Sequence, residues 1–220
     1  LAQIGGLGFF KEWILRRAEI FKHWDEAMKF GCDVPKGVGV LGVPGTGKSL
    51  GAHATAAAFD LPLIRVDMGA IFGGIVGQSE GNARNVIKFL EAVAPCVAWL
   101  DEIEKGFAGS TGGQLDSGVG ARMLGTFLTW MNDKTSPVFV YATANNVSAL
   151  PPELLRKGRF DELFYVALPN LKEREEIFRI HITKRGRGDK IGKFIDPKQL
   201  AQMTQGFSGA EIEAVVREAL

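Results

Sequence analysis

Apolar positions along this chain recur with two different periods, and each change of period marks a boundary between elements. Residues 10–28 place Phe10, Trp13, Ile14, Ile20, Phe21, Trp24 and Met28 near one face at helical spacing, with Lys and Arg between them. This predicts one amphipathic helix over about 7–30. After Pro35 short apolar runs take over, and Val38–Val43, Leu63–Val66, Cys96–Leu100, Val138–Ala142 and Phe164–Leu168 read as five strands. Between them, Lys48–Phe59 carries small residues suited to a close-packed helix. Ala83, Val86, Ile87 and Leu90 make one apolar stripe at helical spacing; Met123, Leu124, Phe127, Leu128 and Met131 make another. Strands separated by helices imply right-handed crossovers and a mostly parallel α/β sheet covered on both faces, and such sheets bind ligands at the carboxyl ends of their strands. Beyond Pro169 the strand signal stops. Leu171–Lys184, Asp196–Thr204 and Ser208–Leu220 read as helices around a solvated Gly/Lys-rich loop at Gly186–Lys193, and Ser208 followed by Glu211 is a capping box. The expected division is therefore 1–169 and a small all-helical unit over 170–220.

Composition narrows the class. The 220 residues include 26 Lys+Arg against 25 Asp+Glu, a net charge of +1, with 46% hydrophobic residues. That is enough to bury a core and too balanced for a basic nucleic-acid arm. Cys32 and Cys96 are too few for a disulfide framework and lack metal-ligand spacing, so both are expected to be inert core thiols in a reducing compartment. No apolar run approaches the roughly 20 residues of a membrane span, and no secretory start is present. The chain begins without Met and stops inside a helical pattern, so it reads as part of a longer protein whose flanking segments hold further domains.

The chemistry starts at the end of the first strand. Gly42-Val43-Pro44-Gly45-Thr46-Gly47-Lys48-Ser49 fits G-x-x-x-x-G-K-[ST] at every fixed position. Glycines let successive N–H groups turn around phosphate oxygens, Lys48 reaches the outer phosphates, and the Ser49 hydroxyl ligates Mg²⁺. The bland alternative is a plain glycine turn between strand and helix. Val97-Ala98-Trp99-Leu100-Asp101-Glu102 then ends an apolar strand in two carboxylates, with Asp101 suited to hold Mg²⁺ through its water shell and Glu102 to polarise an attacking water. Asn145 closes the fourth strand. Arg156 and Arg159 stand three apart before the fifth, either pairing with Glu153, Asp161 or Glu162 on the surface or neutralising transition-state charge. Spacing leaves both readings open.

Six motifs in order now resemble the AAA clade of the AAA+ ATPases: Ile4-Gly5-Gly6-Leu7, the phosphate loop, Leu100-Asp101-Glu102, Ala142-Thr143-Ala144-Asn145, Leu155-Arg156-Lys157-Gly158-Arg159-Phe160-Asp161 and Gly206-Phe207-Ser208-Gly209-Ala210-Glu211. Gly73-Gly74-Ile75-Val76-Gly77-Gln78-Ser79-Glu80, Thr126–Trp130 and Lys134–Val140 are similar, more narrowly, to the conserved chloroplast open-reading-frame ATPases of plastids and cyanobacteria. The resemblance implies a P-loop NTPase fold with a helical lid, Mg²⁺-dependent ATP hydrolysis, and a homo-oligomeric ring, a hexamer, that remodels a protein partner. It implies further that Pro44, Gly45, Thr46, Gly47, Lys48, Ser49 and Leu50 bind the phosphates and that Asp101 and Glu102 form the Walker B pair. Asn145 would be sensor 1, and Arg156 and Arg159 arginine fingers into the neighbouring subunit. Gln3, Ile4, Gly5 and His181 match the adenine pocket, and Gly209 and Ala210 the lid turn beside it. Such a chain is expected in the cytoplasm, or in the plastid stroma if plastid-encoded.

One departure concerns the channel. Family members that thread polypeptide carry an aromatic residue where this chain has Ile75, with Val76 next and Phe72 three residues upstream. Isoleucine offers less rigid apolar area than an aromatic ring. The competing expectation is thus a nucleotide-dependent assembly or binding switch with little threading. Five glycines between Gly69 and Gly81 and seven between Gly106 and Gly125 predict flexible loops there, where a partner would bind. A nucleic-acid partner is disfavoured by the near-zero charge, and a protease by the lack of H-E-x-x-H.

Overall fold

A computed structural model describes residues 5–68, 78–107 and 117–219. Five parallel strands, β1 (Gly37–Gly42), β2 (Leu63–Asp67), β3 (Cys96–Asp101), β4 (Val138–Ala144) and β5 (Glu162–Val166), lie in the order β2-β3-β4-β1-β5. The helices are α1 (Gly8–Lys22), α2 (Trp24–Phe30), α3 (Lys48–Phe59), α4 (Gln78–Ala92), α5 (Ile103–Phe107) and α6 (Ser117–Asp133), followed by α7 (Leu171–Lys184), α8 (Pro197–Met203) and α9 (Gly209–Glu218). The order places β1, which carries the phosphate loop, directly beside β4, whose other neighbour is β3. The three strands that lead into Asn145, the phosphate loop and the Asp101-Glu102 pair are thereby side by side.

Strand alternation divides the apolar side chains between the two faces. Cys96, Ala98 and Leu100 of β3 join Val138, Val140 and Ala142 of β4 beneath α4 and α6, which contribute Leu90, Phe127, Trp130 and Met131. Val97 and Trp99 point the other way with Phe139 and Tyr141, against Phe10, Ile14, Ala52, Ala56 and Phe59 of α1 and α3. Aromatic rings lock this second layer, with Phe59 4.9 Å from both Phe21 and Phe139. The lid helices α7–α9 have a core of their own around Ile177, Phe178, Ile182, Ala201, Ile212 and Val216.

Several details differ from the sequence expectation. The single helix over 7–30 is two, because His23 leaves helical backbone at φ −118°, ψ 42°. The buried stripe Phe10, Ile14, Ala18 belongs to α1 alone; α2 buries no residue, so nothing requires it to continue the same axis. The last strand runs Glu162–Val166 and leaves Leu168 outside, since it takes its register from β1, with Val38 opposite Glu162 and Gly42 opposite Val166. Asp161 pins that register by accepting from the backbone N–H groups of Lys36 and Gly37 at 2.9 and 3.1 Å. Cys96 is buried, and burial pushes its thiol up to about 11. Cys32, expected in the core, is half-buried, because it follows the exposed end of α2. No helix among the described residues is long and apolar enough to cross a membrane. Gln3, Ile4, Phe72, Ile75 and Val76 lie outside the described residues, as do most of the first glycine-rich stretch and the segment 108–116 of the second.

Candidate active site

The site begins where β1 runs out. Gly42 has φ 146°, and a Cβ there would stand 2.1 Å from the Val166 carbonyl oxygen of β5, so the strand can leave the sheet only through glycine. Gly45 (φ 77°) and Gly47 (φ 87°) hold left-handed backbone that turns the loop back toward the start of α3. Lys48 is buried at 7% exposure, and its Nζ donates to the carbonyls of Gly42 at 2.8 Å and Val43 at 2.7 Å. Burial lowers its pKa, and the negative field of Glu104, Asp101 and Glu102 opposes that shift. Its own carbonyl accepts from the buried Tyr141 hydroxyl at 2.9 Å, which ties the first turn of α3 to β4. Ser49 and Leu50 are exposed on that turn and line the cleft with Pro44 and Thr46.

The acidic side is organised by a residue that the sequence reading left without a role. Thr143, 1% exposed on β4, donates from Oγ1 to Asp101 Oδ1 at 2.8 Å and accepts from the Glu102 N–H at 3.1 Å. That second bond holds Glu102 at φ 49°, a left-handed conformation uncommon outside glycine. The turn aims the Glu102 carboxylate at Asn145, whose Nδ2 donates to Oε1 at 2.8 Å, while Lys105 pairs with Oε2. Glu104, buried at 9% exposure, accepts from the Asn145 N–H at 2.9 Å and so fixes the backbone of that residue. Asp101 Oδ2 accepts from Arg65 of β2 at 2.9 Å.

The lid closes the opposite wall of a cleft of about 1010 Å³. His181 faces it from the last turns of α7, with Nδ1 3.8 Å from Glu213 Oε1; burial lowers its pKa and Glu213 opposes. Gly209 and Ala210 line the cleft at the start of α9, where the Ser208–Glu211 capping box is formed, and Ala210 N–H donates to the Gly45 carbonyl at 3.0 Å. Gly5 packs on α7 so tightly that a Cβ would lie 2.5 Å from Ile177 Cγ1. Next to it, Gly6 N–H donates to Glu176 at 2.8 Å.

Gly5, Pro44 to Leu50, Asp101, Glu102, Asn145, His181, Gly209 and Ala210 therefore all line one cleft. Arg156 and Arg159 do not. Leu154 and Phe160, both buried, anchor their turn to the sheet, while Arg156 is exposed and Arg159 half-buried. The surface pairing offered as one reading is not made: neither arginine has a hydrogen bond or ion pair with another described residue. Asp161, the nearest acid in sequence, spends its carboxylate on the start of β1.

The family model described as "ATPase family associated with various cellular activities (AAA)" matches residues 38–168, and an AAA+ lid model matches 195–220. The chain belongs to the AAA ATPase family. Curated relatives named "Uncharacterized AAA domain-containing protein ycf46" are 48% identical, over 100% of this chain in Guillardia theta and 99% in Pyropia yezoensis. They bear out the resemblance to the conserved chloroplast open-reading-frame ATPases. An archaeal Cell division cycle protein 48 homolog, from Archaeoglobus fulgidus, is 36% identical over 98% of the chain and 29% of its own length. ATP-dependent zinc metalloprotease FtsH of Buchnera aphidicola is 32% identical over 99% of the chain and 36% of its own length. The chain spans 42–43% of the length of these ycf46 relatives.

An AAA domain is a nucleotide-binding domain, and the residues present fit that ligand. The loop is a left-handed glycine cradle, and its one buried ammonium, on Lys48, has only backbone carbonyls as hydrogen-bond partners among the described residues. Such a donor is free to exchange those carbonyls for phosphate oxygens. Three residues of the site escaped the sequence reading: Thr143, Glu104 and Arg65. Each left a signal. Thr143 stands two before Asn145, Glu104 follows the carboxylate pair, and Arg65 is a lone charge inside an apolar strand run.

Proposed function

We propose that this chain is the ATP-hydrolysing module of a ring-forming motor that remodels a protein partner. The observation that carries this reading is the convergence of Lys48, Asp101, Glu102 and Asn145 on one cleft from three adjacent strands, with two arginines outside it that have no ion-pair partner among the described residues. Lys48 would hold the outer phosphates, and Ser49 and Asp101 the Mg²⁺. Gly5, His181, Gly209 and Ala210 would enclose the base. MgATP, when bound, would supply the phosphoryl group transferred to water, with ADP as the leaving group.

The chain's own residues then have defined tasks. Glu102 polarises the attacking water once Lys105 releases its carboxylate. Asn145, fixed through its N–H by Glu104, keeps that carboxylate aimed. Arg156 and Arg159, outside their own cleft, are available to complete the cleft of a neighbouring copy, which requires assembly. The ATP dependence printed in the FtsH name supports hydrolysis; its zinc metalloprotease part has no counterpart in this sequence, which lacks H-E-x-x-H.

The test is ATP turnover as a function of protein concentration. Specific activity should rise with concentration as copies meet. Arg156→Ala combined with Arg159→Ala should lower turnover by about 10³-fold, the scale of a lost arginine finger, while leaving nucleotide binding in place. Undiminished hydrolysis by that double variant refutes the shared site.

A further inference from the structure

We propose that Arg65 is a positioning residue that holds the place of the divalent cation beside Asp101, and so sets how much Mg²⁺ the site requires. The inference rests on the nucleotide-site reading above and extends it to a residue outside the motifs quoted for the family resemblance.

Arg65 lies in β2, the edge strand next to β3, two residues before Asp67, which is in register with Asp101. The register sets Arg65 opposite Trp99, two residues before Asp101, so the alternation of strand side chains brings Arg65, Trp99 and Asp101 to one face. The Arg65 guanidinium carbon lies 4.9 Å from the centroid of the Trp99 ring, and Nη2 donates to Asp101 Oδ2 at 2.9 Å. Trp99 is itself buried, with His53 edge-on at 5.5 Å, so the guanidinium rests on a fixed platform. Because Thr143 already donates to Oδ1, both oxygens of Asp101 are engaged and its charge is balanced by a cation the protein supplies.

The same pair is built to be exchanged. The Arg65 side chain is 64% exposed, Asp101 only 18%, and Arg65 lines the cleft that contains Lys48 and Ser49. An ion pair with one partner that exposed contributes little to stability. A planar guanidinium keeps its stack on Trp99 while turning its donors away, which a lysine ammonium cannot do. Mg²⁺ therefore competes with Arg65 for the charge of Asp101, and removing the arginine leaves a less balanced carboxylate that attracts the metal more strongly.

Arg65→Met keeps chain length and the apolar stack and removes the charge. The readout is equilibrium binding of N-methylanthraniloyl-ADP by fluorescence, first without metal and then through a Mg²⁺ titration, with Mn²⁺ occupancy by electron paramagnetic resonance as a direct check. Half-saturating metal should fall on the order of fivefold in Arg65→Met, one unit charge removed at short range in a solvent-exposed cleft, and stay near the parent value in Arg65→Lys. The urea midpoint should not move. An unchanged or raised metal requirement overturns the proposal. So does a loss of metal-free binding with the metal dependence intact, which makes Arg65 a phosphate ligand. Failure of the parent chain to bind the probe at any metal concentration overturns the nucleotide-site reading itself, and this inference with it.

Discussion

Thr143→Val removes one oxygen atom from the centre of the site and replaces it with a methyl group of the same shape. Two hydrogen bonds go with it: the donation to Asp101 at 2.8 Å and the acceptance from Glu102 N–H at 3.1 Å. A bond to a charged acceptor contributes about 1.5–3 kcal/mol, and an orphaned half-buried N–H adds about 1. The buried methyl returns up to about 1 kcal/mol, so the expected net loss is about 2 kcal/mol. For a chain of this size that is a fall in Tm of about 4–8 °C. The functional cost should exceed the stability cost. Glu102 is held at φ 49° by the Thr143 hydroxyl, and left-handed backbone costs a non-glycine residue about 1–2 kcal/mol. Freed of that tether, Glu102 relaxes and its carboxylate leaves Asn145. Urea unfolding and steady-state ATP turnover at saturating nucleotide measure the two effects, with Thr143→Ser, which retains the hydroxyl, as control. A Thr143→Val variant with parental stability and parental turnover refutes the reasoning.

Two further predictions test the frame around the site. Lys134 is buried, donates from Nζ to the carbonyls of Pro35 and Val138, and is held by burial at a pKa of about 8 against an ordinary 10.5. Between those values the unfolded chain carries a proton the folded chain lacks, so stability rises with pH. From pH 7.5 to 9 Lys134 adds about 1 kcal/mol, and the raised pKa of Cys96, working in the opposite direction as its unfolded thiol ionises, takes back roughly 0.4 kcal/mol. Urea midpoints across that range should climb for the parent and fall slightly for Lys134→Met; a flat parent curve refutes the assignment. Gly5→Ala forces a Cβ to within 2.5 Å of Ile177 on the lid. Fluorescent nucleotide titration should show affinity reduced on the order of tenfold, since overpacking costs about 1–3 kcal/mol and here the strain falls on the cleft wall; unaltered affinity counts against Gly5 as part of the pocket.

Much of the fold was legible because the strands here are short apolar runs bounded by turn residues. Leu171–Lys184 and Lys48–Phe59 matched to the residue, the first because Asn170 and Glu173 form a capping box and the second because Gly47 introduces it. The N-terminal helix failed at His23 because apolar periodicity reports which side faces the core and says nothing about whether a helix keeps one axis. Within the site, residues at the carboxyl ends of strands and where α3 begins announce themselves as motifs: Lys48, Asp101, Glu102, Asn145. Thr143 and Arg65 act sideways, across the sheet, and their partners are 42 and 36 residues away in sequence. Strand order decides those contacts, and a single sequence does not reveal which strands are neighbours.

That lateral wiring also bears on how the cleft is joined to the lid. The phosphate loop is tied to the lid by one backbone bond, from Ala210 N–H to the Gly45 carbonyl, and a Cβ on Gly45 would meet Ser208 Oγ at 2.8 Å. Farther out, Arg174 of α7 is buried at 7% exposure and spends its guanidinium on carbonyls at both ends of the lid, Pro169 at the linker and Ala201 in α8. A guanidinium so shared stiffens α7 and α8 against the linker, and the separate lid core makes the same helices one packed body. A phosphate that takes Lys48 from the Gly42 and Val43 carbonyls has to alter the loop that carries Gly45. Since Gly45 accepts from the first turn of α9 and α9 belongs to that packed body, a shift of the loop either carries the lid with it or breaks the Ala210–Gly45 bond.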